Sequence, residues 1–159
     1  MKSNRNEAKR RRQALQVWTQ AQARAALPYL ASVMQSVREH RLEANALECK
    51  AKKLAARPGR PDRDTIIRTE EIGKAARLAE ERFQEALHEL QTLDVYCIDP
   101  VGGLALIPFV HDKQLAWFIY DLFDAEPLQF WRMHSDPLET RRPVTELEGV
   151  AADEGTWLA

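Results

Sequence analysis

The chain has 159 residues, 45% of them hydrophobic and 30% charged, and a formal net charge of −1. That is enough apolar content for one domain with its own core, so no metal or disulfide staple is required. No stretch approaches the roughly 20 apolar residues of a membrane-spanning helix, since even residues 104–123 are interrupted by His111, Asp112, Lys113, Gln114 and Asp121.

Residues 1–15 carry the like-charge run Lys9–Arg12 with almost no apolar content, and are expected to be a basic disordered tail. No apolar stretch follows this basic start, so a secretory signal is not expected. Cys49 and Cys97 stand far apart without redox or metal spacing, which fits reduced thiols in the cytoplasm.

Thr19 and Gln22 have the spacing of a capping box and predict a short helix, with Val17 packing on its first turn. Pro28 predicts a break at Leu27. Beyond it, Leu30, Val33, Val37, His40, Ala44, Leu47, Ala51 and Leu54 recur at alternating steps of three and four, a heptad seam that only a helix presents on one stripe. Two prolines and a glycine between Arg57 and Asp64 predict a turn. The same steps return through Thr65, Thr69, Ile72, Ala76, Ala79, Phe83, Ala86, Leu90 and Leu93, with Asp62 or Asp64 as the cap. Two equally long helices joined by a short turn predict an antiparallel, coiled-coil-like hairpin over 28–93.

Charge is divided along the chain. Residues 1–63 hold fifteen Lys and Arg against five Asp and Glu, and residues 64–159 hold eight against nineteen. The first long helix carries Arg38, Arg41, Lys50, Lys52 and Lys53, and the second Glu70, Glu71, Glu80, Glu81, Glu85 and Glu89. Pairing of these charges across the hairpin is expected to select its register, while the apolar seam holds it together.

After Leu93 the period changes. The run at 95–99, "LALIPFV", "QLAWFIYDLF" and "LQFWRMH" are short, β-prone and separated by turns, which predicts an antiparallel meander over 95–134. Pro108 predicts an edge position or a bulge in the first long strand. The strand from Gln114 is apolar on both faces, Leu115, Trp117 and Ile119 on one and Ala116, Phe118 and Tyr120 on the other, so it belongs at the centre of a sheet covered on both sides. The hairpin covers one side. The other requires the first short helix, the C-terminal segment or a second copy. The expected fold is α+β: a long antiparallel helical hairpin packed on a small antiparallel meander sheet, one domain over 16–145, with a C-terminal tail over 146–159.

This layout, with Gly103-Leu104 and Pro108, the Trp117–Leu122 strand, Phe130-Trp131 and Arg142-Pro143, resembles an uncharacterised prokaryotic family known as domain of unknown function 2203, over roughly residues 16–145. The resemblance implies a bacterial cytoplasmic protein. The family pattern carries an Asp where this chain has Leu106 and a Trp-His pair where it has Trp131-Arg132, so a site built on those groups would lack two parts here.

The chemistry-bearing residues are few. Asp121 within the apolar strand, with Arg132, Arg141 and Arg142, is the candidate ligand or anion pocket. His111 and His134, near one end of the sheet with Asp112 and Asp136, are weak metal candidates. No nucleophile with an activating partner and no Gly-rich phosphate loop is present, so no cofactor is expected and catalysis is the less favoured reading, a small-ligand-binding protein or enzyme using the Asp121, Arg132, Arg141 and Arg142 pocket being the alternative. Lys52, Lys53, Arg57, Arg60 and Arg63 gather near the hairpin turn, but with a pI of about 6.4 and no recognised motif weak nucleic-acid binding through this tip and the basic tail is the less favoured reading. The favoured expectation is a non-catalytic interaction module that self-associates, or docks a protein partner, through Trp117, Phe118, Tyr120 and Trp131.

Overall fold

The computed structural model describes residues 14–147 and 155–158. Strand β1 (Ala14–Val17) leads to helix α1 (Gln20–Ala25) and to the long helices α2 (Leu27–Ala55) and α3 (Arg63–Gln91). Strands β2 (Tyr96–Asp99), β3 (Leu104–His111), β4 (Gln114–Asp121), β5 (Phe130–Met133) and β6 (Arg142–Pro143) follow, then a 3₁₀ turn (Val144–Leu147) and strand β7 (Gly155–Leu158). Strands β2 to β6 form one antiparallel sheet in sequence order, and β1 pairs with β7 in a separate two-stranded ribbon. This is the expected α+β architecture, a two-helix hairpin against a meander.

Local chemistry accounts for the helix ends. Thr19 caps α1: its side chain accepts from the Gln22 N–H while the Gln22 side chain accepts from the Thr19 N–H, the reciprocal capping box. Pro28 sits in the first turn of α2, where its missing N–H costs nothing, so it starts that helix. Asp62 caps α3 by accepting from the Thr65 N–H at 2.8 Å, which holds the Asp62 carboxyl below its ordinary range. Among the seam positions, Leu30, Val33, Val37, Ala44 and Leu54 of α2 and Ala79, Phe83, Ala86 and Leu90 of α3 are buried.

The β3–β4 turn has Asp112 and Lys113 both at positive φ (50° and 61°), the backbone of a two-residue type I′ hairpin. Gly103 enters β3 at φ 73°, and a Cβ there would lie 2.7 Å from that of Leu122, so both conformation and space require glycine. Strand β3 is interior and its pairing with β4 is unbroken from Leu104 to His111, so there is no bulge, and Pro108 instead occupies a local edge of an otherwise interior strand. Strand β2 reaches only as far as Leu106 along β3. Beyond it the Pro108 carbonyl accepts from the Trp18 N–H at 2.8 Å. A residue's N–H and C=O point to the same side of a strand, so the donor that Pro108 lacks faces a side with no ladder to join.

Each face of β4 lies in its own apolar cluster. Ala116, Phe118 and Tyr120, with Ile107, Phe109 and Trp131, pack on Leu30, Val33, Met34, Val37, Phe83 and Leu90 of the hairpin. Leu115, Trp117 and Ile119 form a second cluster with Leu106, against which Leu15 of β1 and Phe130 pack. The second face is therefore covered within the chain by the N-terminal strand, paired in turn with the C-terminal one. The expected tails accordingly contain regular structure: residues 14–15 open β1, 146–147 end the 3₁₀ turn, and 155–158 form β7. The remainder of both expected tails, residues 1–13, 148–154 and 159, including the Lys9–Arg12 run, lies outside the described residues.

The hairpin is longer than the sheet it covers. Its members in the sheet-facing cluster run from Leu30 to Val37 on α2 and from Phe83 to Leu90 on α3. Arg38 donates to the Val101 carbonyl at 3.0 Å, the outermost of these links along α2. Past the Arg41–Glu80 ion pair, α2 runs fourteen more residues to Ala55, a two-helix arm of about 21 Å. Among the described residues no helix is long and apolar enough to cross a membrane.

Candidate functional site

The four residues of the candidate pocket do not meet. Asp121 closes β4 opposite Leu104, and its Oδ1 accepts from the Phe123 N–H at 3.0 Å, a turn-forming role. Arg132 lies opposite Trp117, four residues back along the same strand and so about 13 Å from Asp121. It is buried, and its guanidinium donates to the carbonyls of Met133 and Asp136 at 3.4 and 3.3 Å. Arg141 is exposed and donates to the carbonyls of Leu138 and Thr140.

The carboxylate that does gather cations is Asp136. Arg142 grips it through Nε at 2.9 Å and a terminal nitrogen at 2.8 Å, the bidentate geometry that suits a guanidinium, and the Met133 N–H donates to it at 2.9 Å. The Arg142 hydrogen bonds, then that N–H, hold the Asp136 carboxyl below its ordinary range. The Arg142 guanidinium also lies 5.2 Å from the Trp131 ring, whose Nε1 donates to the Pro143 carbonyl. Every group in this cluster is used by another part of the chain, so it works as a clasp closing the 134–141 loop onto β5 and β6. Sequence reasoning placed Asp136 beside the histidines and missed this pairing. The available signal was the Asp136-Pro137 turn followed six residues later by an Arg returning to the sheet.

His111 and His134 share an end of the sheet but not a face. His111 packs edge-on against Trp131, 4.9 Å between ring centroids, on the hairpin side. His134 Nδ1 accepts from Trp117 Nε1 at 3.1 Å on the opposite side. Among the described residues no group of three or more His, Cys, Asp or Glu stands ready to hold a metal ion.

The expected aromatic interface is corrected by burial. Trp117, Phe118, Tyr120 and Trp131 are 8%, 1%, 1% and 2% exposed. Strand parity also divides them, Trp117 into the β1-covered cluster and the other three into the hairpin-covered one. They hold the domain together and offer no surface to a partner.

The surface that remains is the arm. Among the described residues one ion pair joins the two helices, Arg41 to Glu80 at 2.6 Å, with Arg41 stacked 4.3 Å over the Phe83 ring. Arg41 and Gln84 together hold the Glu80 carboxyl below its usual range. Tyr29 donates to Glu89, which raises the Tyr29 hydroxyl above its ordinary pKa. Among the described residues the expected ladder of charges across the seam is therefore absent: Lys50, Lys52 and Lys53, and Glu70, Glu71, Glu81 and Glu85, are exposed and have no charged partner there. Ile66, Ile67 and Leu78 are 50%, 43% and 48% exposed on the same arm. At the tip, a cleft of about 440 Å³ opens between the helix ends, lined by Leu54, Arg57, Arg60, Asp62, Ile66 and Glu70 among others.

A family model described as "Uncharacterized conserved protein (DUF2203)" matches residues 16–144. The chain belongs to this family. No curated protein and no solved structure matches it. The match begins inside β1 and ends just past β6, so it spans the whole hairpin and the whole five-stranded sheet. Leu106 and Arg132, the positions at which the resemblance implied acid and imidazole, fall on one sheet face in neighbouring rows: Leu106 opposite Ile119, and Arg132 opposite Trp117. In this chain that face is apolar at Leu106, and one terminal nitrogen of Arg132 donates to the Met133 and Asp136 carbonyls.

Proposed function

We propose that this chain is a non-catalytic interaction module that self-associates, and that its docking element is the long helical hairpin, not the sheet. The observation that carries this reading is the charge of the hairpin left unpaired among the described residues: two long helices lined with Lys, Arg and Glu share one ion pair and extend past the sheet. A hairpin needs no such length to cover five short strands. Sedimentation equilibrium of the full chain at micromolar concentration tests it. Mass at a multiple of 18.2 kDa is the expected result, and a monomer at every concentration contradicts it.

The tip supports a second reading, weak nucleic-acid contact. Lys52, Lys53, Arg57, Arg60 and Arg63 are all exposed within twelve positions, beside the tip cleft. A gel shift at low salt that is lost on replacing Arg57, Arg60 and Arg63 is the expected result for that reading, and no shift at low salt removes it.

A further inference from the structure

We propose that two copies dock through the hairpin faces turned away from the sheet, antiparallel and two-fold related, with α2 lying on α2 and α3 on α3. This rests on the self-association proposed above and names its surface and register.

The face is defined by spacing and exposure. On α2, Glu39, Glu43, Ala46, Lys50 and Lys53 recur at steps of four and three and all are exposed. On α3, Arg68, Glu71, Ala75, Leu78, Arg82 and Glu85 form the corresponding exposed stripe. Met34 and Arg41 mark the sheet side of α2. At about 100° per residue the α2 stripe points the other way.

The register follows from charge. Arg41 stands level with Glu80, so an α2 position is level with the α3 position that completes the same sum. A two-fold axis midway between Ala75 and Leu78 on α3 is therefore level with the point between Ala44 and Asn45 on α2. That single axis sets Arg68 of one copy opposite Glu85 of the other, Glu71 opposite Arg82, and Lys50 opposite Glu39. Ala75 meets Leu78 at the centre, and Ala46 flanks the axis on α2. Each contact occurs twice, as an isologous interface demands. No like charges among the named residues are placed opposite one another, and among the described residues none of the six charges set opposite each other by this axis has an ion-pair partner within its own chain.

The area is adequate. The axis falls near mid-hairpin, so two faces about 43 Å long and about 20 Å wide overlap almost fully, near the ~800 Å² per partner of a specific complex. A small apolar centre with charged flanks gives register to an interface of this kind.

The test is a charge-swap cycle on the full chain, read by sedimentation. Arg68→Glu and Glu85→Arg each place like charges opposite at two symmetric points, and each is expected to weaken dimerisation by about tenfold. The double variant restores the pairs with reversed sign and is expected to recover the wild-type constant. All these positions are exposed, and unchanged helical content by circular dichroism controls for folding. Leu78→Lys, at the centre, is expected to abolish the dimer. A dimer indifferent to the single swaps overturns this face and register while leaving self-association standing. A chain monomeric throughout overturns both, and if that monomer shifts a nucleic-acid probe at low salt, the arm's charges serve that ligand instead.

Discussion

Trp117 and Phe118 are adjacent in sequence and buried in different cores. Phe118 stacks on Phe109, 4.0 Å between centroids, beneath the hairpin. Trp117 meets Tyr96 edge-on at 5.5 Å and donates to His134 beneath β1. Strand alternation produces this separation, and each residue reports on one cover of the sheet. Trp117→Ala and Phe118→Ala are each expected to cost about 3–5 kcal/mol in urea unfolding, because each opens a cavity in packed surroundings. Leu138→Ala, at 75% exposure, is expected to cost nothing measurable.

Gly103 and Gly59 both have positive φ, at 73° and 89°, but only Gly103 has a neighbour where a Cβ would go. Gly103→Ala combines backbone strain with a clash against Leu122 and is expected to lose about 2–3 kcal/mol, against about 1 kcal/mol for Gly59→Ala at the open hairpin turn. Thermal melts of the two variants give the comparison.

The clasp at Asp136 predicts a pH dependence. Its carboxyl is lowered in the folded chain, first by Arg142 and then by the Met133 N–H. The unfolded state therefore binds the proton more readily than the folded state. The stabilisation is complete above the ordinary carboxylate pKa of about 3.9 and is lost as pH falls through the lowered folded value. Wild type is expected to melt above Asp136→Asn at neutral pH, and the gap is expected to close in acid. A gap independent of pH would deny the clasp.

The two thiols are expected to react unequally. Cys49 is exposed on α2, whereas burial raises the Cys97 pKa to about 11. The thiolate is the reactive form, so at pH 8 a thiol reagent is expected to modify Cys49 promptly and Cys97 far more slowly. Single-cysteine variants separate the two rates, and equal rates would show that the sheet edge at β2 opens readily.

The hairpin was legible because its information is local. Alternating steps of three and four from Leu30 to Leu54 and from Thr65 to Leu93 repeat often enough to define a face, and Thr19, Asp62 and Pro28 mark the ends within a few residues of the helices they start. The two-sided strand was legible from parity alone. What covers its second face was not, because β1 and β7 are far apart in sequence, and neither Leu15 nor Trp157 announces pairing across that distance. The expected aromatic interface failed at the same point for Trp117, which lies on the face that a long-range ribbon closes, and by strand parity for Phe118, Tyr120 and Trp131, which lie under the hairpin. The site at Asp136 depends on how a loop folds back on its own strand, and no periodicity encodes that.

The central claim is that the sheet is closed within one chain and the hairpin is the surface left to act. Hydrogen exchange by mass spectrometry on the full chain, at a low and a high protein concentration, tests it most directly. The expected result is strong protection of residues 115–120 that does not change with concentration, together with slower exchange over residues 39–89 at the higher one. Concentration-dependent protection in β3 to β5, with the hairpin unchanged, would contradict it.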